Sequence, residues 1–293
     1  MEEIRYTEPM QRLKLVSLWS CLLLVLTSWT LAESSQAGFD KFIRYTKTPG
    51  QLETSVVSFQ NSRGQTIDLI AAVHIGSSAY YDNLNRQFKS YDAVLYELVL
   101  PDEMAGQRLP SRMETGSGVS GMQGMMAKSL GLTTQIGKVD YSAENFIHAD
   151  LTQSGLSQAM NANQESVMGY VMQAMASGEL DESSLGISEQ ELAQIDFMAI
   201  LNGTAKPKDR QILRKLFASA LASSGGLMST MGGTALIKSR NEAAMKVVDK
   251  QTAAGKKRLA LFYGAAHMPD LEKRLKAKGW RKTRSEWLKA WSI

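Results

Sequence analysis

Residues Ser55–Leu100 read SVVSFQNSRGQTIDLIAAVHIGSSAYYDNLNRQFKSYDAVLYELVL. Ser55–Gln60 and Thr66–Val73 are rich in β-branched and apolar residues and predict two strands, with Asn61-Ser62-Arg63-Gly64 between them as a hairpin turn. Ala79–Ser90 is polar with apolar residues at helical spacing, and Ala93–Val99 is another buried-strand run. A strand, a short amphipathic helix and a second strand form a βαβ unit, which predicts parallel pairing.

The C-terminal part returns to the same pattern. Arg258–Tyr263 (RLALFY) predicts a strand, Asp270–Lys278 an amphipathic helix, and Trp280–Trp287 an edge strand. Between the two parts the chain changes character. It passes through a Gly/Ser/Met-rich tract, Gly116–Gly131, that lacks strand periodicity and reads as a mobile loop or lid. Helical stretches follow at Ser166–Ala176, Ser188–Leu201, Asp209–Ala222 and Thr234–Ala253. Met168, Met172 and Met175 share one helical face and read as flexible core filler rather than metal ligands. The expected architecture is one α/β domain over residues 39–287, a mostly parallel sheet with flanking helices, interrupted by a mainly helical insertion at 102–252.

Composition narrows the function classes. The 293 residues are 44% hydrophobic and 21% charged, a globular balance that excludes a disordered or collagen-like chain. Lys and Arg exceed Asp and Glu by only 33 to 29, with no basic block to follow a phosphate backbone, which argues against nucleic acid. Cys21 is the only cysteine, so a disulfide scaffold, a Cys zinc cluster and a catalytic thiol are excluded from the body of the protein. It lies in Leu15–Leu26 (LVSLWSCLLLVL), an uncharged run behind Arg12 and Lys14. That run is shorter than the roughly 20 apolar residues a spanning helix needs. Small residues follow at Thr30-Leu31-Ala32 and Ser35-Gln36-Ala37. Residues 1–32 therefore read as a cleaved signal peptide, and the protein as exported, periplasmic or secreted. Membrane attachment follows only if the segment stays uncleaved. Glu2, Glu3 and Glu8 are unusual before such a segment, and a start at Met10 gives a cleaner one. Asn202-Gly203-Thr204 is a glycosylation sequon, relevant only in a host that glycosylates exported proteins.

Three residues share a position that matters for chemistry. His74, Glu97 and His267 each sit at, or just past, the C-terminal end of a predicted buried strand. In parallel α/β sheets ligands bind beyond those ends. Each His alone is more often a hydrogen-bonded structural residue, but a carboxylate within YELVL is expensive to bury unpaired. Two neutral imidazoles and a carboxylate suit a divalent transition metal, Mn, Co, Zn or Fe.

At these residues the sequence resembles the TIKI/TraB/GumN family. The resemblance is carried by Ala71-Ala72-Val73-His74, by Gly264-Ala265-Ala266-His267, by Glu97, and by Arg240-Asn241 ahead of the second His. It extends to Tyr91-Asp92-Ala93-Val94 and to Gly279-Trp280, and departs at Ala71, where the family usually has Gly. The family implies a metal-dependent hydrolase acting on peptide or amide bonds, with His74, His267 and Glu97 at the metal and Glu97 or Arg240 in catalysis. Arg240 would hold a substrate carboxylate or an oxyanion; its alternative is a salt bridge to a nearby acid. Asn241 is a possible substrate or additional metal ligand by the same resemblance. Related folds include erythromycin-esterase-like enzymes and ChaN-like haem-binding lipoproteins, so fold alone does not fix activity.

His148 and Asp150 leave two readings open. On an extended segment they share a face and can supply a further ligand or substrate contact; otherwise Asp150 caps a helix and His148 is merely exposed. Two functions are thus carried forward. One is an exported metal-dependent hydrolase with a peptide or small-molecule substrate. The other is a non-catalytic periplasmic binding protein for a metal complex or haem, with Met122, Met125 and Met126 as soft contacts. A third possibility is a degenerate member that binds a partner protein through the insertion.

Overall fold

The computed structural model describes residues 42–113, 119–163, 165, 199, 206–223 and 235–293. The signal segment, the Met168–Met175 stripe, the Asn202 sequon and nearly all of the helices expected at Ser166–Ala176 and Ser188–Leu201 lie outside these residues.

The chain enters through β1 (Ile43–Thr46), β2 (Gln51–Gln60) and β3 (Thr66–Ala72), then a short β4 (Ile75–Gly76). The turn between β2 and β3 is the expected one. Asn61 Oδ1 accepts the N–H groups of Arg63 and Gln65, and Gly64 takes φ +77°. Helix α1 (Ser78–Phe88) is capped by Ser77, whose side chain accepts from the Tyr80 N–H, and buries Tyr80, Tyr81, Leu84 and Phe88 on one face. β5 (Ala93–Tyr96) completes the βαβ unit. The middle block holds α2 (Val119–Leu130), β6 (Thr133–Thr134), the single turn α3 (Gln135–Lys138), β7 (Phe146–His148), α4 (Gln153–Ala162) and α5 (Pro207–Ser223). A π-turn at Ala235–Ser239 leads into α6 (Arg240–Ala253). β8 (Arg258–Gly264), a 3₁₀ turn, α7 (Met268–Ala277) and β9 (Arg281–Ser292) close the chain.

Among the described residues these strands form a seven-stranded mixed sheet in the order β1-β2-β3-β8-β5-β7, with β9 along the other side of β2. β3, β8, β5 and β7 are parallel, and β2 alone runs against the rest. The architecture is α/β, with helices flanking a sheet of mostly parallel strands. Two details differ from expectation. β3 and β5 are parallel but not neighbours, because β8 inserts between them. The middle block is not purely an insertion, since its β7 pairs with β5 in the main sheet.

The Gly116–Gly131 tract is the clearest correction: Val119–Leu130 is helical, not a loop. Gly121 and Gly124 each weaken a helix by about 1 kcal/mol. Against that, Gln123, Ala127 and Leu130 recur at i, i+4 and i+7 and are buried, so packing overrides propensity. Gly131 then ends the helix at φ +62°, with Leu132 N–H bonded to Ala127 O and Gly131 N–H to Lys128 O, a Schellman motif.

Candidate functional site

The β3, β8 and β5 strands deliver their next residues to one edge. His74 follows β3, held in place by its neighbours: Tyr81 donates its hydroxyl to Val73 O at 2.7 Å, and Gln135 N–H bonds His74 O at 2.8 Å. Gly76 lets this loop press against α1, because a Cβ there would lie 3.0 Å from the Tyr80 ring and 3.3 Å from that of Tyr81. Glu97 follows β5 and extends its ladder, donating its N–H to Phe262 O at 3.0 Å. His267 ends the 3₁₀ turn after β8, and Pro269 at the start of α7 turns the chain back onto the sheet. Arg240 and Asn241, at the start of α6, reach the same edge through Glu97 and His267.

These side chains form one buried network. Glu97 Oε1 accepts from Arg240 Nη2 at 2.7 Å and lies 3.3 Å from His267 Nε2. Its Oε2 accepts the Gly264 N–H at 2.5 Å. This contact explains the glycine of the second motif. Its φ is an ordinary −53°, but a Cβ would stand 3.2 Å from Glu97 Oε2. Arg240 is held from the other side by Asp150, through Nε at 2.9 Å and Nη2 at 2.6 Å. Its Nη1 group lies outside these contacts.

Asn241 fixes the state of His267. Its Nδ2 faces His267 O at 3.2 Å and Asp270 Oδ2 at 2.8 Å, two acceptors, so that atom must be the donor and Oδ1 the acceptor. Oδ1 stands 2.7 Å from His267 Nδ1, so Nδ1 carries the proton. Nε2 is then the nitrogen that faces Glu97: in the charged ring it donates to the carboxylate, and in the neutral ring it offers the lone pair that a metal would take. A metal-binding histidine needs this tautomer and this kind of supporting hydrogen bond.

The electrostatics follow from burial. Desolvation alone would raise the Glu97 pKa; the facing His267 and Arg240 outweigh it, with a further contribution from His74, and hold Glu97 well below the ordinary carboxylate range. Burial would lower the Arg240 pKa, but Asp150 and Glu97 reverse this and raise it, so the guanidinium stays charged. Tyr263, whose hydroxyl donates to Ala149 O, is pushed well above its usual value by burial and by the charges of Asp150 and Glu97, and stays neutral.

Of the residues singled out in the sequence, Glu97, His267, Arg240, Asn241 and Asp150 meet at this edge. His74 reaches it electrostatically. His148 does not join them. Its Nε2 bonds Leu98 O at 2.7 Å, and its ring lines a separate cavity of about 490 Å³ with Tyr96, Tyr141 and Phe146. Neither reading of the His148–Asp150 pair holds whole. Thr152, not Asp150, caps the following helix, while Asp150 serves Arg240. Asp270 and Tyr263 were not anticipated. For Asp270 the signal was there: it lies three residues after His267 at a helix start, within reach of whatever holds the imidazole.

The donor types suit a transition metal, and His267 Nε2 and Glu97 Oε1 are separated by the 3.3 Å expected of two donors about 2.0–2.1 Å from one tetrahedral ion. Among the described residues, however, no group of three or more His, Cys, Asp or Glu is disposed to hold a metal. Of the expected trio, His267 and Glu97 form the close pair, and His74 acts on Glu97 through its charge. No helix among the described residues is long and apolar enough to cross a membrane. Compared with protein-family models, curated proteins and solved structures, the chain matches none.

Proposed function

We propose that this chain is an exported metal-dependent hydrolase acting on peptide or amide bonds, with its centre at His267 and Glu97. The observation that carries the reading is the Asn241-fixed imidazole, whose Nε2 faces a buried carboxylate at the carboxyl edge of parallel strands. The motifs around His74 and His267, which resemble those of the TIKI/TraB/GumN family, supply the reaction class.

His267 Nε2 and Glu97 would hold the metal, with His74 as the third donor by the same resemblance. A bound divalent ion supplies Lewis-acid polarisation of a carbonyl and a bound water acidic enough to ionise near neutral pH. Arg240, clamped between Asp150 and Glu97, presents Nη1 to an oxyanion or a substrate carboxylate. Asn241 keeps the imidazole turned, and Tyr263 and the surrounding core exclude water from the buried side. The LVSLWSCLLLVL segment behind Arg12 and Lys14 supports export.

Elemental analysis of the purified protein, with amide hydrolysis measured before and after chelation, tests the reading. Stoichiometric Mn, Co, Zn or Fe is expected, lost together with activity in His267→Ala. Asn241→Leu is expected to weaken metal binding by about 10–100-fold. A haem absorption band would instead favour the binding protein. Metal-free protein with chelator-insensitive hydrolysis would overturn the proposal.

A further inference from the structure

The sheet has a second end. β8 spans Arg258–Gly264, so roughly 20 Å separates the His267–Glu97 centre from the amino edge of the parallel strands. At that edge the fold gathers cations that are scattered in the sequence. Arg281 pairs with Gln60, Gln60 with Thr66, and Thr66 with Arg258. One row across four strands therefore carries an arginine at each end, roughly 14 Å apart. Arg63 projects from the β2–β3 turn beyond this row, Lys256 and Lys257 lead into β8, and Lys282 follows Arg281.

Arg63, Lys257, Arg258, Arg281 and Lys282 are exposed, and none has an ion-pair partner among the described residues. Asp92 and Asp68 offset part of this charge, Asp92 through Lys256 and Arg258, and the other nearby acids are paired with cations outside the row. Asp92 accepts the backbone N–H groups of Lys257 and Arg258, Asp68 accepts from the Tyr91 hydroxyl, Asp249 pairs with Lys278, and Glu286 with Arg284. The whole chain carries a net charge of only +4, so the excess of cations at this edge is a local feature of the surface rather than the sign of an evenly basic protein.

We infer that this amino edge is a docking surface for an anionic lipid bilayer. Clusters of four to eight Lys and Arg adsorb to such surfaces within about a Debye length of the headgroups. Nucleic acid fits less well, because no aromatic ring at this edge lies open to a base: Trp280 is buried, Trp287 lies under the Arg44 guanidinium, and half-buried Tyr91 has the Arg258 guanidinium over its ring and its hydroxyl tied to Asp68. Export, if it occurs, places the chain beside membranes rather than nucleic acid. Docked this way, the protein turns its candidate centre away from the bilayer into the aqueous phase. The inference does not depend on the hydrolase reading, since it concerns the other end of the sheet.

The test is co-sedimentation of the full chain with vesicles of pure phosphatidylcholine and of phosphatidylcholine with about 30% phosphatidylglycerol. The N-terminal segment carries Arg5, Arg12 and Lys14 in every variant, so the readout is the excess binding to the anionic vesicles and its change between variants. That excess is expected at about 50 mM salt and largely lost at about 300 mM. Arg281→Glu/Lys282→Glu is expected to lower it roughly tenfold or more, whereas Lys128→Glu/Lys208→Glu, the same change in net charge elsewhere, leaves most of it. No excess at low salt, an excess equal in both double variants, or stronger retention on single-stranded RNA than on the vesicles would overturn the inference.

Discussion

The two ends of the parallel strands are both rich in charge and treat it in opposite ways. At the carboxyl end Glu97, Arg240 and His267 are buried, each bonded to another, with the Asp150 side chain closing the set. At the amino end Arg63, Lys257, Arg281 and Lys282 are exposed, with no ion-pair partner among the described residues. A buried charge interacts strongly because little solvent screens it, and it also depends on its partner to offset desolvation. An exposed charge gains and loses little within the molecule and acts mainly on what approaches from outside. Residue type does not separate the two ends. Burial with a partner does.

The largest effect is expected where a buried partner is removed. Glu97→Ala leaves Arg240 and His267 facing each other without the carboxylate and exposes the Gly264 N–H to a void. Urea unfolding should show a loss of about 3–5 kcal/mol. A loss below about 1 kcal/mol would mean the network is solvated and the contrast between the two ends is false.

Strand β8 carries the same contrast in its flanking glycines. Gly255, ahead of the strand, has φ +82° with nothing within 4 Å of where a Cβ would stand, whereas Gly264 has ordinary backbone and a crowded Cβ position. Ala at Gly255 strains only the backbone, by about 1–2 kcal/mol. Ala at Gly264 pushes on Glu97 Oε2, which its hydrogen bonds prevent from yielding, with a loss of about 1–3 kcal/mol. Stability alone therefore does not distinguish them. The imidazole ¹⁵N shifts of His267 should move in Gly264→Ala and stay fixed in Gly255→Ala.

The sequence is legible where one residue pattern meets one physical demand. The β2–β3 hairpin, α1 and the β5 and β8 strands follow from β-rich and apolar runs, helical spacing and the Asn61–Gly64 turn. His74, Glu97 and His267 follow from their position at strand ends. What was not legible depended on tertiary partners. The insertion of β8 between β3 and β5 joins segments far apart in the chain, which local patterns do not encode. The Gly-rich α2 reads as a loop until the burial of Ala127 and Leu130 is known, although Gly131 as its C-terminal cap was a usable signal. Asp150 and Arg240 find each other across the fold, and nothing near either residue announces the pair. The basic edge was hidden for the same reason: its cations come from separate turns and strands.

Acid is the next way to test the contrast, with a smaller effect than deletion. The folded Glu97 pKa lies below its ordinary 4.5. Its contribution to stability is therefore complete above the unfolded value and is lost as pH falls through the depressed folded one. In chelator-treated protein, stability should be insensitive to Glu97 above about pH 5.5 and decline below about pH 4.5. The Glu97→Gln variant should show a shallower decline over the acid window. Identical slopes for the two proteins would mean that the fold does not lower the Glu97 pKa.

The smallest effect is expected at the amino edge, and its smallness is the point. Arg281 and Lys282 open β9 on its exposed margin, where their side chains make no ion pair among the described residues and the strand's pairing with β2 runs through the backbone. Replacing both by Glu removes two like charges from a crowded basic edge and places acids near Arg63 and Arg258. Any change should therefore be slight and of either sign. Surface substitutions of this kind usually stay within about 0.5 kcal/mol, which for a domain of this size shifts the thermal midpoint by no more than about 2 °C. Differential scanning calorimetry of the Arg281→Glu/Lys282→Glu protein should find that small shift while vesicle binding falls. A midpoint lowered by several degrees would show that the basic edge helps hold the sheet together, and loss of membrane binding in that variant would then be a consequence of unfolding rather than of charge.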